Sequence, residues 1–187
     1  MIKRILDLIL AILLLCFLTL PILVIGLIVK LTSKGSALYW SDRVGINNRI
    51  FRMPKFRTMC ANTPVVATHL MKNFNAYLTP IGLFLRKFSL DELPQLYSII
   101  KGDVSFIGPR PALYNQDDLI KLRTSKEIDK IIPGITGWAQ VNGRDELPIP
   151  TKVEFDEYYL KNKSLFFDFK ILLKTFIKVL KSEGVSH

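Results

Sequence analysis

Histidine and cysteine are nearly missing from this chain of 187 residues, with two of each. His69 and His187 stand far apart, so a histidine-rich metal site or a histidine-based triad lacks its material. Cys16 falls inside an apolar run and Cys60 outside it. That separation argues against a disulfide framework and is compatible with a reducing compartment. The chain has no zinc-ligand spacing, no arginine-rich tail and no RNA-binding aromatic signature, which leaves nucleic acid without its usual readers. No internal repeat or low-complexity tract occurs either. Acidic residues are also short, 16 against 26 basic, for a net charge of +10. Such an excess suits anionic partners, a lipid surface or a nucleotide.

What the chain has in quantity is apolar surface: 49% of its residues are hydrophobic, which points to a membrane segment. Met1 to Arg4 is basic and Ile5 to Val29 almost wholly apolar. A secretory signal has a shorter apolar core and a small-residue cleavage site, and neither is evident. The run is long enough to cross ~30 Å of hydrocarbon as a helix. Pro21 lies inside it, however, and predicts a kink or break. Lys3 and Arg4 precede the run and Lys30 and Lys34 follow it, so charge gives no orientation. A helix that bends at Pro21 and leaves on its side of entry satisfies both observations; a simple span stays equally open.

The stretch Arg86 to Pro111 carries the strongest chemical signal. Asp91 and Glu92 follow Ser89 at the start of a short helix, and Gly108-Pro109-Arg110-Pro111 fixes an arginine between two prolines. An acid pair and a rigid guanidinium suit a divalent cation and a phosphate. Ser89-Leu90-Asp91-Glu92 equally fits a capping box, and carboxylates in a first turn complement the helix dipole. Pro94 is tolerated if Asp91 caps the helix and costs a backbone bond if Ser89 does.

Elsewhere, Ala37 to Trp40 reads as a strand or an interfacial aromatic patch. Ile50 to Met59 reads as an extended run with Lys55 and Arg57 on one side. Residues 61–80 read as a long surface loop of the kind that serves as a lid. Ile81 to Phe88 is a short amphipathic helix ending near Arg86. Asn115 to Lys130 and Thr151 to Lys163, the latter containing Asp156, are polar helices. Trp138 to Val141 leads into Asn142-Gly143, a tight-turn signal that puts Arg144 at a loop tip. From Asp168 onward, Lys170, Lys174, Lys178 and Lys181 recur at helical spacing, a basic amphipathic helix for the core or a membrane surface.

Lys55-Phe56-Arg57-Thr58-Met59, Ser89-Leu90-Asp91-Glu92-Leu93-Pro94-Gln95-Leu96, Gly108-Pro109-Arg110-Pro111 and Pro133-Gly134-Ile135-Thr136-Gly137 with Asn142-Gly143-Arg144 occur in this order. The series closely resembles the bacterial sugar transferases, the monotopic phosphoglycosyl transferases, in their minimal form. The resemblance implies an α+β, mainly helical protein. Residues 1–30 would form a re-entrant membrane helix broken near Pro21. Residues 31–187 would form a cytosolic catalytic domain with amphipathic interfacial helices and a small β element, on the cytoplasmic face of the bacterial inner membrane. It implies transfer of a sugar-1-phosphate from a UDP-sugar to undecaprenyl phosphate, with UMP released and Mg2+ as cofactor. Asp91 would be the nucleophile, and Glu92 would share the metal with it. Arg110 would bind phosphate, and Lys55, Arg86, Arg144 and Asp156 would line the site. Minimal members carry a serine before the helix-breaking proline; here Leu20 precedes Pro21, and Thr19 is the nearest hydroxyl to replace it. A glycosyltransferase releasing UDP and a non-catalytic membrane scaffold are the alternatives, and neither the sugar nor the oligomeric state is specified.

Overall fold

The computed structural model describes residues 2–64, 74–143 and 147–180. Seven helices and two small sheets alternate along these residues, an α+β arrangement that is mainly helical. Helix α1 (Ile2–Thr32) leads into the antiparallel hairpin of β1 (Leu38–Val44) and β2 (Ile50–Phe56), so Leu38 to Trp40 resolves as a strand. Asn47 and Asn48 take the left-handed backbone at the hairpin bend, a conformation asparagine tolerates better than most residues. Helices α2 (Gly82–Lys87) and α3 (Leu96–Lys101) follow, then β3 (Ser105–Ile107), α4 (Asp117–Ser125) and β4 (Gly134–Thr136). β3 and β4 pair in parallel, which a sequence with only three-residue strands does not announce. Helices α5 (Trp138–Asn142), α6 (Ile149–Asn162) and α7 (Leu165–Leu180) complete the order.

Helix α1 is docked along its whole length. Asp7, Ala11, Leu14, Leu18, Ile22, Ile25 and Val29 recur every three or four residues and so share one face. Ala11 and Val29 are fully buried, and the four between them pack on two core clusters containing Met53, Leu96 and Ile99, or Phe56 and Leu85. The start of the helix is tied by polar contacts. Lys3 Nζ donates to Asp168 Oδ2 at 2.6 Å, and Arg4 donates to the carbonyls of Ile99 and Ile100 at 2.5 and 2.9 Å. Ser105 Oγ donates to Asp7 Oδ2 at 2.8 Å. The other face is bare and apolar: Phe17 is 80% and Leu20 70% exposed.

Two expectations change here. α1 is not divided at Pro21 and continues to Thr32; contacts of Leu18, Ile22 and Ile25 with the domain support it on both sides of the proline. Thr19 Oγ1 does not reach the carbonyl that Pro21 leaves without its amide partner, four residues back at Phe17. It donates to the Leu15 carbonyl at 2.6 Å. The exposed surface of α7 is also more apolar than the lysine spacing suggests. Phe166, Phe169, Leu173 and Phe176 are exposed, while the Lys170 and Lys174 ammonium groups lie 5.9 and 4.6 Å from the centre of the Trp138 ring. A cation is attracted to the indole face; Lys170 stays exposed beside Trp138 while Lys174 and Lys178 are half-buried, and Lys181 lies outside the described residues.

Ile99 is fully buried among Ala11, Met53, Leu96 and Val104, where α1 and α3 meet. Ile99→Ala is expected to cost about 2–4 kcal/mol through lost contact and a residual cavity. Phe166→Ala on the bare face of α7 is expected to change stability by less than about 0.5 kcal/mol. Denaturant unfolding in detergent micelles distinguishes the two.

Candidate active site

The acid pair does not sit where a capping box would put it. Ser89 takes a left-handed backbone, φ 55° and ψ 22°, and makes no side-chain cap. Residues Leu90–Gln95 form a 3-10 turn ahead of α3. A non-glycine residue in that region of backbone space is uncommon and marks a constrained chain reversal. Pro94 is accommodated inside the 3-10 segment, so neither helix start considered from sequence applies as drawn. The reversal directs Asp91 and Glu92 into a cavity of about 610 Å3, within the usual range for small-molecule sites.

Glu92 is the electrostatic hub. Its Oε1 accepts Lys55 Nζ at 2.7 Å and Arg110 Nη2 at 2.8 Å. Burial alone would favour the protonated acid, but Arg110 and Lys55 together outweigh it and hold the Glu92 carboxyl well below the ordinary glutamate range. Burial lowers the Lys55 ammonium pKa against the pull of Glu92. Asp91 is only 5% exposed. Burial pushes its carboxyl upward, Lys55 opposes this, and the Glu92 charge adds to the rise. The Asp91 carboxyl is thus set by a balance between burial and the surrounding cations.

Arg110 is held by its backbone as well as its side chain. Gly134 N donates to the Pro109 carbonyl at 2.9 Å and Gly108 N to the Thr136 carbonyl at 2.9 Å. A Cβ on Gly134 would stand 2.0 Å from Gly108 N, and one on Gly137 would stand 2.1 Å from Gly108 O. Only glycine lets these two segments come so close. Arg110 Nη1 then donates to the Ile135 carbonyl at 3.4 Å.

Lys55, Arg86, Asp91, Glu92 and Arg110 all line one cavity. Arg86 lies at the end of α2 with its guanidinium carbon 4.9 Å from the centre of the Phe74 ring. Asp156 is a different case: it is 1% exposed and does not line the cavity. Its Oδ2 accepts Arg123 Nε at 3.0 Å and Nη2 at 2.6 Å, while Arg123 Nη1 donates to the Arg110 carbonyl at 2.8 Å. Asp156 thus supports the wall through Arg123. Neither Arg123, inside a polar helix, nor Arg43, at the start of a turn-bearing loop, carries a site signal in the sequence. Arg43 nonetheless lines the cavity and donates to the Pro111 carbonyl at 3.1 Å. Arg144 and residues 65–73 of the lid reading lie outside the described residues. The segment leading into Asn142-Gly143 is a short helix, Trp138–Asn142, with Gly143 ending it.

No group of three or more His, Cys, Asp or Glu gathers for a metal among the described residues. The Asp91–Glu92 pair still suits Mg2+, which takes one or two carboxylates and completes its shell with water and substrate phosphate. Both protein partners of Glu92 sit on Oε1.

Removing one member of a buried ion pair leaves the other charge without compensation. Asp156→Ala is therefore expected to cost about 3–5 kcal/mol of folding stability, measurable as a lowered denaturation midpoint. Arg123→Met with Asp156→Leu, which removes both charges, is expected to recover much of that loss.

Comparison with known proteins fits this site. A family model described as bacterial sugar transferase matches residues 1–182. The chain is 41% identical over 187 residues to an uncharacterized sugar transferase, EpsL, of Bacillus subtilis (strain 168), covering 99% of this chain and 90% of that protein. It is 38% identical to an undecaprenyl-phosphate galactose phosphotransferase of Salmonella typhimurium, covering 87% of this chain and 37% of the relative. With a UDP-glucose:undecaprenyl-phosphate glucose-1-phosphate transferase of Escherichia coli (strain K12) the identity is 37%, over 95% of this chain and 40% of the relative. The chain thus spans most of EpsL and about two fifths of the two longer proteins. It belongs to the bacterial sugar transferase family.

Proposed function

We propose that this chain transfers a sugar-1-phosphate from a UDP-sugar to undecaprenyl phosphate, releasing UMP, through a phosphosugar ester on Asp91. The observation that carries the reading is the convergence of Asp91, Glu92, Lys55 and Arg110 in one cavity, with Leu14 and Leu18 of the apolar helix in its wall. The names of the longer relatives, which act on undecaprenyl phosphate, support the acceptor.

In the first step an Asp91 carboxylate oxygen attacks the donor's β-phosphorus. The bond from that phosphorus to the bridging oxygen breaks, and its electron pair leaves with UMP. In the second step an acceptor phosphate oxygen attacks the same phosphorus, and the ester bond to Asp91 breaks to restore the carboxylate. Splitting the exchange divides one difficult displacement into two. Arg110 and Lys55 offset the charge on the transferring group from fixed positions, so little reorganisation is needed in the reaction. Glu92 holds both cations in register. Mg2+, held by Asp91 and Glu92, would add neutralisation of phosphate charge when bound.

The docking of α1 bears on the membrane arrangement. Its 31 residues span about 46 Å at ~1.5 Å per residue, yet residues near both ends touch the same domain through Lys3, Arg4 and Val29. An upright span would carry that domain into the hydrocarbon with it. This supports a monotopic protein whose α1 presents its bare face to one leaflet, with the catalytic domain on the cytoplasmic side.

Two outcomes are expected. Asp91→Asn abolishes UMP release from a UDP-sugar and the donor-dependent mass increase on the intact protein, while the wild type shows both. Turnover by Asp91→Asn at near wild-type rate, or release of UDP in place of UMP, would exclude the covalent reading. In sealed vesicles, Ile2→Cys in a Cys16→Ser background is labelled by an impermeant maleimide from the same side as Cys60. Labelling from opposite sides would mean α1 spans.

A further inference from the structure

The cavity wall supplied by β4, α5 and α7 carries polar groups that the proposed phosphate chemistry does not use. Thr136, Ala139, Gln140, Thr175 and Val179 all border the cavity. The elements that bear them touch one another. Lys174 of α7 lies over the Trp138 ring of α5, and the Thr136 and Thr175 hydroxyl oxygens are 2.8 Å apart. The Thr175 hydroxyl donates to the Ile171 carbonyl at 2.9 Å, so Thr136 is the donor to Thr175. Both hydroxyl protons are therefore spent inside the protein.

Gln140 differs. Its amide oxygen and nitrogen are both shielded from water, and neither makes a hydrogen bond among the described residues. The residue as a whole is half-buried, so its exposed part is not its polar end. A buried primary amide is unfavourable until something matches its two N–H groups and its oxygen. The amide lies against Gly137, where a Cβ would stand 2.9 Å from Gln140 Oε1. It is also close to the chemistry. Ile135, whose carbonyl accepts Arg110 Nη1 at 3.4 Å, is two residues before Gly137, a distance of at most about 7 Å. A group joined to a phosphate at Arg110 is thus in reach of this side chain.

We propose that Gln140 binds the uracil base of the donor. Its terminal amide turns into the cavity, Nε2 donates to uracil O4, and Oε1 accepts from uracil N3–H. The assignment rests on the UDP-sugar reaction proposed above and adds the residue that reads the base. The imide edge of uracil shows a carbonyl and an N–H side by side, which a primary amide meets with two parallel hydrogen bonds. The acetamido group of an N-acetylated sugar points its carbonyl and N–H in opposite directions, so one primary amide cannot engage both. Ala139 and Val179 offer the apolar surface that the faces of a planar base take. Gly137, with no side chain, leaves the amide room to turn.

The test is equilibrium binding of UMP to the full chain in detergent micelles, read by titration calorimetry. Gln140→Met, similar in shape but without the amide, is expected to bind UMP roughly 10–100-fold more weakly. Its affinity for inorganic pyrophosphate, which needs only the cations, is expected to keep the wild-type value and reports an intact site. N3-methyl-UMP, which lacks the imide proton, is expected to show a similar loss on the wild type and little further loss on Gln140→Met. Unchanged UMP affinity in the variant, or equal losses of UMP and pyrophosphate, would overturn the assignment. So would a defect confined to the KM for the UDP-sugar, which would put Gln140 on the sugar. If Gln140→Met does not fold, N3-methyl-UMP on the wild type decides, and binding as tight as that of UMP rejects the imide contact. A wild-type protein that binds no UMP ends the UDP-sugar reading and the base assignment together. Wild-type UMP binding that is indifferent to Gln140 ends the assignment alone.

Discussion

One carboxylate oxygen organises the catalytic side of this protein. Glu92 Oε1 receives the Lys55 ammonium from β2 and the Arg110 guanidinium from the loop after β3. These three segments are distant in sequence, and each is held in place by something else. The β1–β2 pairing aligns Lys55 with Tyr39, the left-handed Ser89 turns Glu92 inward, and the close backbone approach at Gly108 and Gly134 fixes Arg110. A buried pair of this kind is weak evidence for stability, because desolvation offsets most of the attraction. Its value is positional: Glu92, kept strongly acidic by its two cations, fixes them beside Asp91, whose carboxyl burial makes less acidic than usual.

A second layer stands behind the first. Asp156 does not touch the cavity, yet it sets Arg123, and Arg123 grips the carbonyl of Arg110. Arg110 is thus held at two places, its guanidinium by Ile135 and Glu92 and its backbone carbonyl by Arg123. The resemblance has Asp156 line the site; the structure places it behind the wall, on Arg123.

Much of the site could be read from the chain because its residues come in short local motifs. Asp91, Glu92 and Arg110 carry their signal in neighbouring prolines, glycines and a serine. Lys55 carries it in an alternating strand pattern. What could not be read depends on long-range contacts. Arg123 resembles any cation in the last turn of a helix until Asp156, 33 residues later, is seen against it. The parallel pairing of β3 and β4 involves segments of three residues each, too short for periodicity to register. The Ser89 capping box fails for a local reason: its backbone is left-handed, which the residue type does not disclose. The continuity of α1 through Pro21 rests on side chains of the folded domain, so helix rules applied to the isolated segment miss it.

The full-length docking of α1 has a consequence for how the enzyme sits on its substrate. A catalytic head hung from a flexible stalk would sample many heights above the bilayer, and its encounter with a headgroup would depend on tether length. Here α1 supplies Leu14 and Leu18 to the cavity wall, so in the one-leaflet arrangement proposed above altitude is set by packing. Bilayers of different thickness would on that arrangement present the same plane of phosphates to Asp91, because such an anchor measures from one leaflet's surface and takes no reading from the other.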